Sequence, residues 1–382
     1  MKKYKLGDLG DIVGGSTPST KDINNYGGSI SWITPKDLSD FKGIYISKGE
    51  RNITEKGFKS CSTKMLPKNS VLFTSRAPIG YIAISQNELC TNQGFKSIIP
   101  NKKIYYLYLY YLLKYKKNYI ENFGIGTTFK EISATVMKNI EVEILESIEE
   151  QKKIAKILYT IDKKIELNRH TNNNLYKTFR SIYKNTFLNK TTNTIKFSDF
   201  NEIGNLVMGQ SPKGSSYNEE KIGLPLINGA ADYKDGMLNP NKYTSEPTRV
   251  CNAKDLVFCI RATIGQLTIA DQEYCLGRGV ACISNINELY YEYVFNIIEE
   301  SIDKLKAVAT GSVILGLSKD DINNLEVYKP TLEEIEKFHK LEQPILNRII
   351  EIKKQNKTLE QIRDTLLPKL MNGEIDLDKI EI

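Results

Sequence analysis

The sequence has few residues of the kinds that build catalytic or metal centres. Its 382 residues include only two histidines, His170 and His339. We expect each to be a solvated or interface residue and not a ligand or general base. The six cysteines show no C-x-x-C spacing. This spacing argues against a paired metal site and favours buried free thiols in a reducing compartment.

Long apolar runs and nucleotide-binding loops are also missing. The longest apolar stretch, 104–113, contains five tyrosines and is too short to cross a bilayer. No apolar run follows the first basic residues, so we expect no secretory signal and a cytoplasmic protein. The stretch Gly15–Lys21 lacks the second glycine of a phosphate loop. No methyltransferase or nuclease signature is found, so the sequence predicts a non-catalytic chain with no metal site.

The sequence does contain an internal repeat of about 185 residues. Arg-Ala-x-Ile-Gly occurs at 76–80 and again at 261–265. Cys-x-x-x-Gly occurs at 90–94 and again at 275–279. This period is too long for a solenoid, whose units span a few tens of residues, and it indicates a duplicated module.

Each repeat begins with about 145 residues of short β-branched runs separated by turn residues. One predicted helix interrupts them, at 104–119 in the first copy and 287–304 in the second. The pattern predicts two α+β domains, related by a pseudo-twofold and joined by a pair of long antiparallel coiled-coil helices. The predicted boundaries are 1–147 and 191–330 for the two domains, and 148–190 and 331–382 for the two helical regions.

The helical regions carry matching ladders of apolar residues. Residues 149–188 contain no proline or glycine, and a shift of 184 places their ladder, including Asn172, on the second ladder and Asn356. Such a heptad pattern is typical of a coiled coil, and about 39 residues would form a rod of roughly 58 Å. Pro344 predicts a kink or restart, with 333–342 as a separate short helix. The alternative is two unrelated helices, each packed on its own domain. The residues expected to set the helix register are Ile161, Ile165, Asn172, Leu175, Ile345, Ile349, Asn356 and Leu359.

Charge is distributed unevenly along the chain. The formal net charge of +7 divides into +8 for 1–147, +6 for 148–190, −5 for 191–330 and −2 for 331–382. A basic first half is compatible with a polyanionic partner. The acidic second module argues against strong nucleic-acid binding by this chain alone.

Polar loops recur at matched places in the two modules. Arginine can bind guanine through two hydrogen bonds, asparagine or glutamine can bind adenine, and serine or threonine can reach a base or a phosphate. The alternative is that Arg76 and Arg261 pair with local carboxylates and that the glycines only shape turns. The candidate DNA-binding residues are Ser16, Thr17, Lys21, Lys36, Arg76, Asn92, Gln93, Thr127, Thr128, Lys130, Gln210, Ser211, Lys213, Asn228, Arg261, Arg278 and Ser312.

Four features carry a resemblance to a known family, the first being the two α+β modules. Each module opens on Gly-x-Ser/Thr-Pro, at 15–18 and 209–212, and the first exits into Glu149-Glu150-Gln151. The run Leu-Leu-Pro-Lys-Leu-Met-Asn-Gly-Glu-Ile at 366–375 is the most specific signal. The chain resembles the specificity (S) subunits of type I restriction–modification systems. Its first helical region departs from that closing run, because 182–189 has no proline or glycine.

The resemblance implies that each module is a target recognition domain reading one half of a bipartite, asymmetric double-stranded DNA target. It implies that the helices act as a ruler and dock two modification (methyltransferase) subunits, while restriction subunits supply translocation and cleavage. S-adenosylmethionine, ATP and Mg would then be held by those partners and not by this chain. Two alternatives stay open: a targeting subunit of a type IIB-like restriction–methylation enzyme, and a duplicated coiled-coil scaffold without a nucleic-acid partner.

Overall fold

A computed structural model describes residues 1–126, 130–190, 192–310 and 315–376. Its contacts divide the chain into two compact units, Met1–Arg169 with Gln355–Ile382, and His170–Lys354. These units differ from the four predicted segments. The difference arises because each of the two long helices, Ile148–Tyr183 and Leu332–Met371, contributes residues to both units.

The described residues of the first unit form three sheets. Strands Lys2–Lys5 and Glu141–Ile144 pair antiparallel. The five-stranded sheet has the strand order Gly10–Gly14, Lys96–Pro100, Val71–Ser75, Ile79–Ser85 and Tyr45–Ile46. The three-stranded sheet has the order Asn52–Ile53, Tyr26–Ile33 and Cys90–Thr91, with the last two strands parallel.

The helices of the first unit cover its main core. The predicted helix at 104–119 is observed as Tyr106–Tyr115 and Lys117–Glu121, because Lys116 leaves the helical region at φ −86°, ψ 8°. Phe73 and Tyr108 are fully buried in this core, which also holds Leu158 and Leu370 from the two long helices. The other short helices are Leu6–Leu9, Pro35–Ser39, Glu55–Lys59 and Ala134–Asn139, with a 3₁₀ turn at Ile23–Asn25.

The second unit repeats this plan. Its four-stranded sheet has the order Asn205–Met208, Val280–Ser284, Leu256–Cys259 and Leu267–Ile269. Its five-stranded sheet has the order Tyr217–Asn218, Tyr243–Thr244, Leu224–Ile227, Tyr274–Leu276 and Val250–Cys251. Two-stranded ribbons join Thr194–Lys196 to Glu326–Tyr328 and Tyr233–Lys234 to Met237–Leu238. The helices are Tyr291–Val308 and Lys319–Asn323, with 3₁₀ turns at Phe197–Asp199, Asn201–Ile203, Gly214–Ser216, Ala230–Asp232 and Glu288–Tyr290.

Both modules therefore mix short strands with helices, and the predicted α+β class is confirmed. The long helices also form as predicted, the first ending in a π-helical turn at Lys184–Leu188. The predicted restart at Pro344, with 333–342 as a separate helix, is wrong, because Leu332–Met371 is one continuous helix. Pro344 is exposed, so water can satisfy the carbonyl that loses its helical donor. Burial of Leu346 and Ile349 just beyond it contributes about 1.5–3 kcal/mol each, which offsets a cost of about 3 kcal/mol for an internal proline.

Two further expectations concern the burial of the cysteine thiols and membrane-spanning helices. All six cysteines are free, and five of them are buried, while Cys61 is half-buried. The expected buried thiols are thus observed for five residues. Across the described ranges, every helix is too short or too polar to span a membrane.

Candidate nucleic-acid interface

The repeated Arg-Ala-x-Ile-Gly motif places left-handed residues at matching positions in both units. Ala77 and Ala262, each directly after the arginine, adopt left-handed conformations with φ of 47° and 59°. The motif glycines, Gly80 and Gly265, have φ of 95° and 104°, where glycine is favoured because it lacks a Cβ. The turn follows the strand ending at Ser75 in the first unit and Cys259 in the second. Each module thus presents its arginine at an equivalent point beyond a buried strand.

The Gly15–Pro18 loop packs tightly against a second polar loop of the first unit. A Cβ on Gly15 would lie 2.0 Å from the Thr91 carbonyl oxygen, so only glycine fits this approach. Ser16 N donates to that carbonyl at 3.0 Å, and the Thr17 hydroxyl donates to Gln93 Oε1. Asn92 Oδ1 accepts from the backbone of Gly94 at 2.9 Å and so shapes its own turn.

The second unit builds the same loop pair from different side chains. A Cβ on Gly209 would lie 2.1 Å from the Gly277 carbonyl oxygen. The Arg278 guanidinium Nε donates to Ser211 Oγ at 3.3 Å. Asn228 lies beside this pair, because a Cβ on Gly277 would be 2.3 Å from its Oδ1. Gln210 and Arg278 are exposed. Both units therefore bring a Gly-x-Ser/Thr-Pro loop against a Gly-containing loop that carries amide or guanidinium groups.

The two arginines have different surroundings. Arg76 Nη1 lies 3.3 Å from Glu131 Oε2, and Lys96 Nζ lies 3.5 Å from Glu131 Oε1. Arg76 thus pairs with a local carboxylate, as the alternative interpretation of this arginine expects. The exposed Arg261 side chain makes no ion pair with any residue that the structure describes. Sequence reasoning missed Glu131 and Lys96, which show no motif and differ between the repeats.

The remaining candidate residues lie away from the loop contacts given above or outside the described part of the chain. Lys36 is exposed and pairs with Glu50 at 2.8 Å. Lys21, Lys130 and Lys213 are exposed, and Lys130 is next to Glu131 in the chain. Thr127, Thr128 and Ser312 lie outside the described residues.

In the first unit the two long helices run antiparallel and meet at a layer of amides. Asn168 Nδ2 donates to Asn356 Oδ1 at 2.8 Å and to Gln355 Oε1 at 2.7 Å. Asn356 Nδ2 in turn donates to the Ile165 carbonyl at 3.4 Å. Asn168, which is not among the predicted register residues, is buried. The layer fixes which residues face each other, because a shift would bury unpaired amides.

The second unit contains the corresponding asparagine, Asn172, but has no asparagine at the position equivalent to Asn168. Asn172 Nδ2 donates to the Ile349 carbonyl at 3.2 Å. This bond is the counterpart of Asn356 to Ile165, since both residues shift by 184. Asn172 Oδ1 is buried without a hydrogen-bond partner. The same shift places Ile352 where the donor Asn168 would stand. Of the other register residues, Ile165 and Ile349 are buried, and Ile161, Leu175, Ile345 and Leu359 are half-buried.

We expect leucine at the two equivalent asparagines to have opposite effects. Asn356→Leu should lower the free energy of unfolding by about 1–2 kcal/mol, because Asn168 loses an acceptor in a buried site. Asn172→Leu removes an unpaired oxygen and should leave stability unchanged within about 0.5 kcal/mol or raise it. Urea denaturation followed by circular dichroism compares them, and equal losses in both variants would contradict the asymmetry.

The second unit also contains a buried acidic cluster. Glu342 is fully buried, and Asn296 Nδ2 approaches its Oε2 at 3.4 Å, while its Oε1 has no partner. His339 Nδ1 lies 2.7 Å from Glu292 Oε2, so this histidine is an internal polar contact and not a solvated residue. Burial, together with the charge of Glu292, raises the pKa of Glu342 to about 8.

The chain is similar in sequence to several proteins of one family. A family model described as the type I restriction modification DNA specificity domain matches residues 1–177 and again 191–364. The type I restriction enzyme MjaIX specificity subunit of Methanocaldococcus jannaschii is 34% identical over 98% of this chain and 94% of its own length. The EcoR124I/EcoR124II specificity subunit of Escherichia coli is 31% identical over 41% of this chain and 40% of its own.

A solved structure supports the fold independently. The crystal structure of the type I restriction–modification S subunit from M. genitalium aligns with a TM-score of 0.63 at 17% identity, covering 97% of this chain and 96% of that one. The family match falls on both repeats, and the duplicated Arg and Gly loops occupy equivalent points in each. The chain belongs to the family of type I restriction–modification DNA specificity subunits.

Proposed function

We propose that each unit reads one half of a bipartite, asymmetric DNA target through its Arg loop and its Gly-x-Ser/Thr-Pro loop. One observation carries this proposal: matching left-handed residues, Ala77 and Ala262, follow an arginine in both units, while the side chains around them differ. Equivalent backbone positions would place the DNA at the same point of each unit, and different donors and acceptors would select different bases. Unequal loops therefore favour two half-sites of unlike sequence.

The proposal gives this chain no catalytic residue and makes it a docking subunit. Two modification subunits would carry S-adenosylmethionine, and restriction subunits would carry ATP and Mg. Partner subunits would also supply phosphate contacts that the acidic second module lacks.

Methylome sequencing of cells carrying this gene with its partner genes tests the proposal. We expect a gapped methyladenine motif with two unlike halves that disappears when this gene is deleted and returns on complementation. An unchanged methylome after deletion would favour the scaffold without a nucleic-acid partner. A motif cleaved by the same polypeptide that methylates it would favour the type IIB-like alternative.

The helix pair predicts how the gap responds to length. We expect a matched heptad inserted in both helices, after Arg169 and after Lys354, to keep the apolar ladder in step and add roughly 10.5 Å of helix. The gap should grow by about three base pairs while the half-site letters stay the same, as read by methylome sequencing. The control is a three-residue deletion in one helix, which rotates the later ladder by about 300° and should abolish methylation. A change of letters in the heptad variant would contradict the ruler role.

A further inference from the structure

Glu131, the carboxylate beside Arg76, corresponds to a glycine in the second unit, Gly316. Glu131 forms antiparallel bridges with Arg76 and Ile125, and Gly316 forms the same bridges with Arg261 and Thr310. Each of these residues is displaced by 185 from its counterpart. The hydrogen bond from Ile132 N to the Ser75 carbonyl at 3.0 Å likewise matches that from Leu317 N to the Ile260 carbonyl at 2.9 Å. Glu131 and Gly316 therefore occupy one structural position.

The two residues at this position, Glu131 and Gly316, differ in charge and in hydrogen-bonding capacity. Glu131 is 40% exposed at its side chain and lies between Lys96, 12% exposed, and Arg76, 34% exposed. The two cations offset the repulsion that a carboxylate would meet beside DNA phosphates. Each carboxylate oxygen keeps acceptor capacity beyond its one cationic contact. In the second unit Lys96 is replaced by the buried Ala281, and Arg261 stands without a carboxylate in the described part of the chain.

We propose that the residue at this position, Glu131 in one module and Gly316 in the other, determines which base is selected beside the Arg loop. Glu131 accepts a hydrogen bond from the cytosine N4 amino group in the first half-site. Gly316 leaves the Arg261 guanidinium to bind guanine O6 and N7 in the second. These are the pairings that major-groove geometry favours for carboxylate and guanidinium groups. Lys96 and Arg76 position the carboxylate, and this inference rests on the proposed function.

The experiment exchanges the two residues in the full chain expressed with its partner subunits. Glu131→Gly should change one letter of the first half-site, from cytosine to guanine or to a relaxed position, and leave the second half-site intact. Gly316→Glu should change one letter of the second half-site only. A Cβ at 316 would lie 3.1 Å from Arg261 Cγ, so this arginine must shift by a few tenths of an ångström to admit it.

Two further variants preserve the fold more closely. Glu131→Gln keeps the shape but adds an amide donor, which should shift the same letter towards adenine. Arg261→Lys keeps the charge of an exposed residue but loses bidentate geometry, and it should relax the guanine letter about 10-fold or more in relative methylation rate.

The outcomes are separable. Glu131→Gly or Glu131→Gln with lowered thermal stability but unchanged letters would show a purely structural ion pair and overturn the inference. A wild-type complex that methylates no gapped motif would overturn the proposed function itself. Altered letters in the half-site opposite to the mutated module would also contradict the assignment.

Discussion

Arg363→Ala is expected to lower the stability of the first unit by about 3 kcal/mol. Arg363 Nη1 lies 2.7 Å from Asp162 Oδ1, and the Asp162 side chain is only 9% exposed. Removing one partner of a buried pair strands the other charge, which typically costs about 3–5 kcal/mol. The lower end applies because the Tyr111 hydroxyl, at 2.9 Å, and the Lys114 ammonium, at 3.7 Å, still face the carboxylate. Trp32, the single tryptophan, is buried in this unit, so its fluorescence during urea denaturation measures the loss.

The control is Arg348→Ala on the same helix, and because Arg348 lies in the second unit its stability is followed by circular dichroism. Arg348 pairs with Glu351 at 2.6 Å, but both side chains are more than half exposed, so the change should cost less than about 1 kcal/mol. The double variant Asp162→Leu with Arg363→Leu should recover part of the lost stability, because the buried pair is gone while Lys114 loses its carboxylate partner. Equal losses for Arg363→Ala and Arg348→Ala would contradict the role of burial.

Stability of the second unit is expected to fall as pH rises from 5 to 8. Burial raises the pKa of Glu342 from its ordinary 4.5 to about 8 in the folded chain. The folded state therefore holds a proton that the unfolded state releases, and each pH unit in this range costs about 1.4 kcal/mol at most. The stabilisation is complete below pH 4.5 and is lost as the pH rises through 8. Circular dichroism during urea denaturation at several pH values gives the slope.

Glu342→Gln should flatten this dependence, because the amide occupies the same volume without titrating. The slope that remains comes from Glu292, Glu299 and Asp255, whose pKa values burial also raises. Glu333→Gln is the matched control, since Glu333 is exposed and pairs with Lys337 at 2.6 Å one turn away. Retention of the wild-type slope in Glu342→Gln would place the proton on another group.

The repeat made much of the fold predictable. The shift of 185 identified the paired Arg turns, because a left-handed residue and a glycine are needed at fixed places in both copies. The apolar ladder predicted both long helices, since a buried stripe must recur at helical spacing. Pro344 misled the prediction, because local propensity does not register the packing gained beyond an exposed proline.

The interface was predicted less completely. Glu131 and Gly316 share no chemistry, so a search for recurring residue types passes over them, although the shift itself places one on the other. Glu342 lies three residues before Ile345, at the spacing of the apolar ladder, and this spacing indicates a buried position. The charge of a glutamate indicates the opposite, an exposed position. Asn168 is absent from the predicted register residues, yet it is the donor of the amide layer. In each case the tertiary partner, and not the residue itself, sets the role.

The amide layers also constrain how this gene can be inherited. The first layer combines Asn168 from one repeat with Asn356 from the other, so neither helix carries it alone. A recombination event that imported only one helical region, with isoleucine at the place of Asn168, would leave Asn356 Oδ1 unpaired. Crossovers placed in the loops that flank the helices would exchange a reading module and keep both layers. Natural variation should therefore arrive as whole modules, with the two helical segments descending together through a lineage.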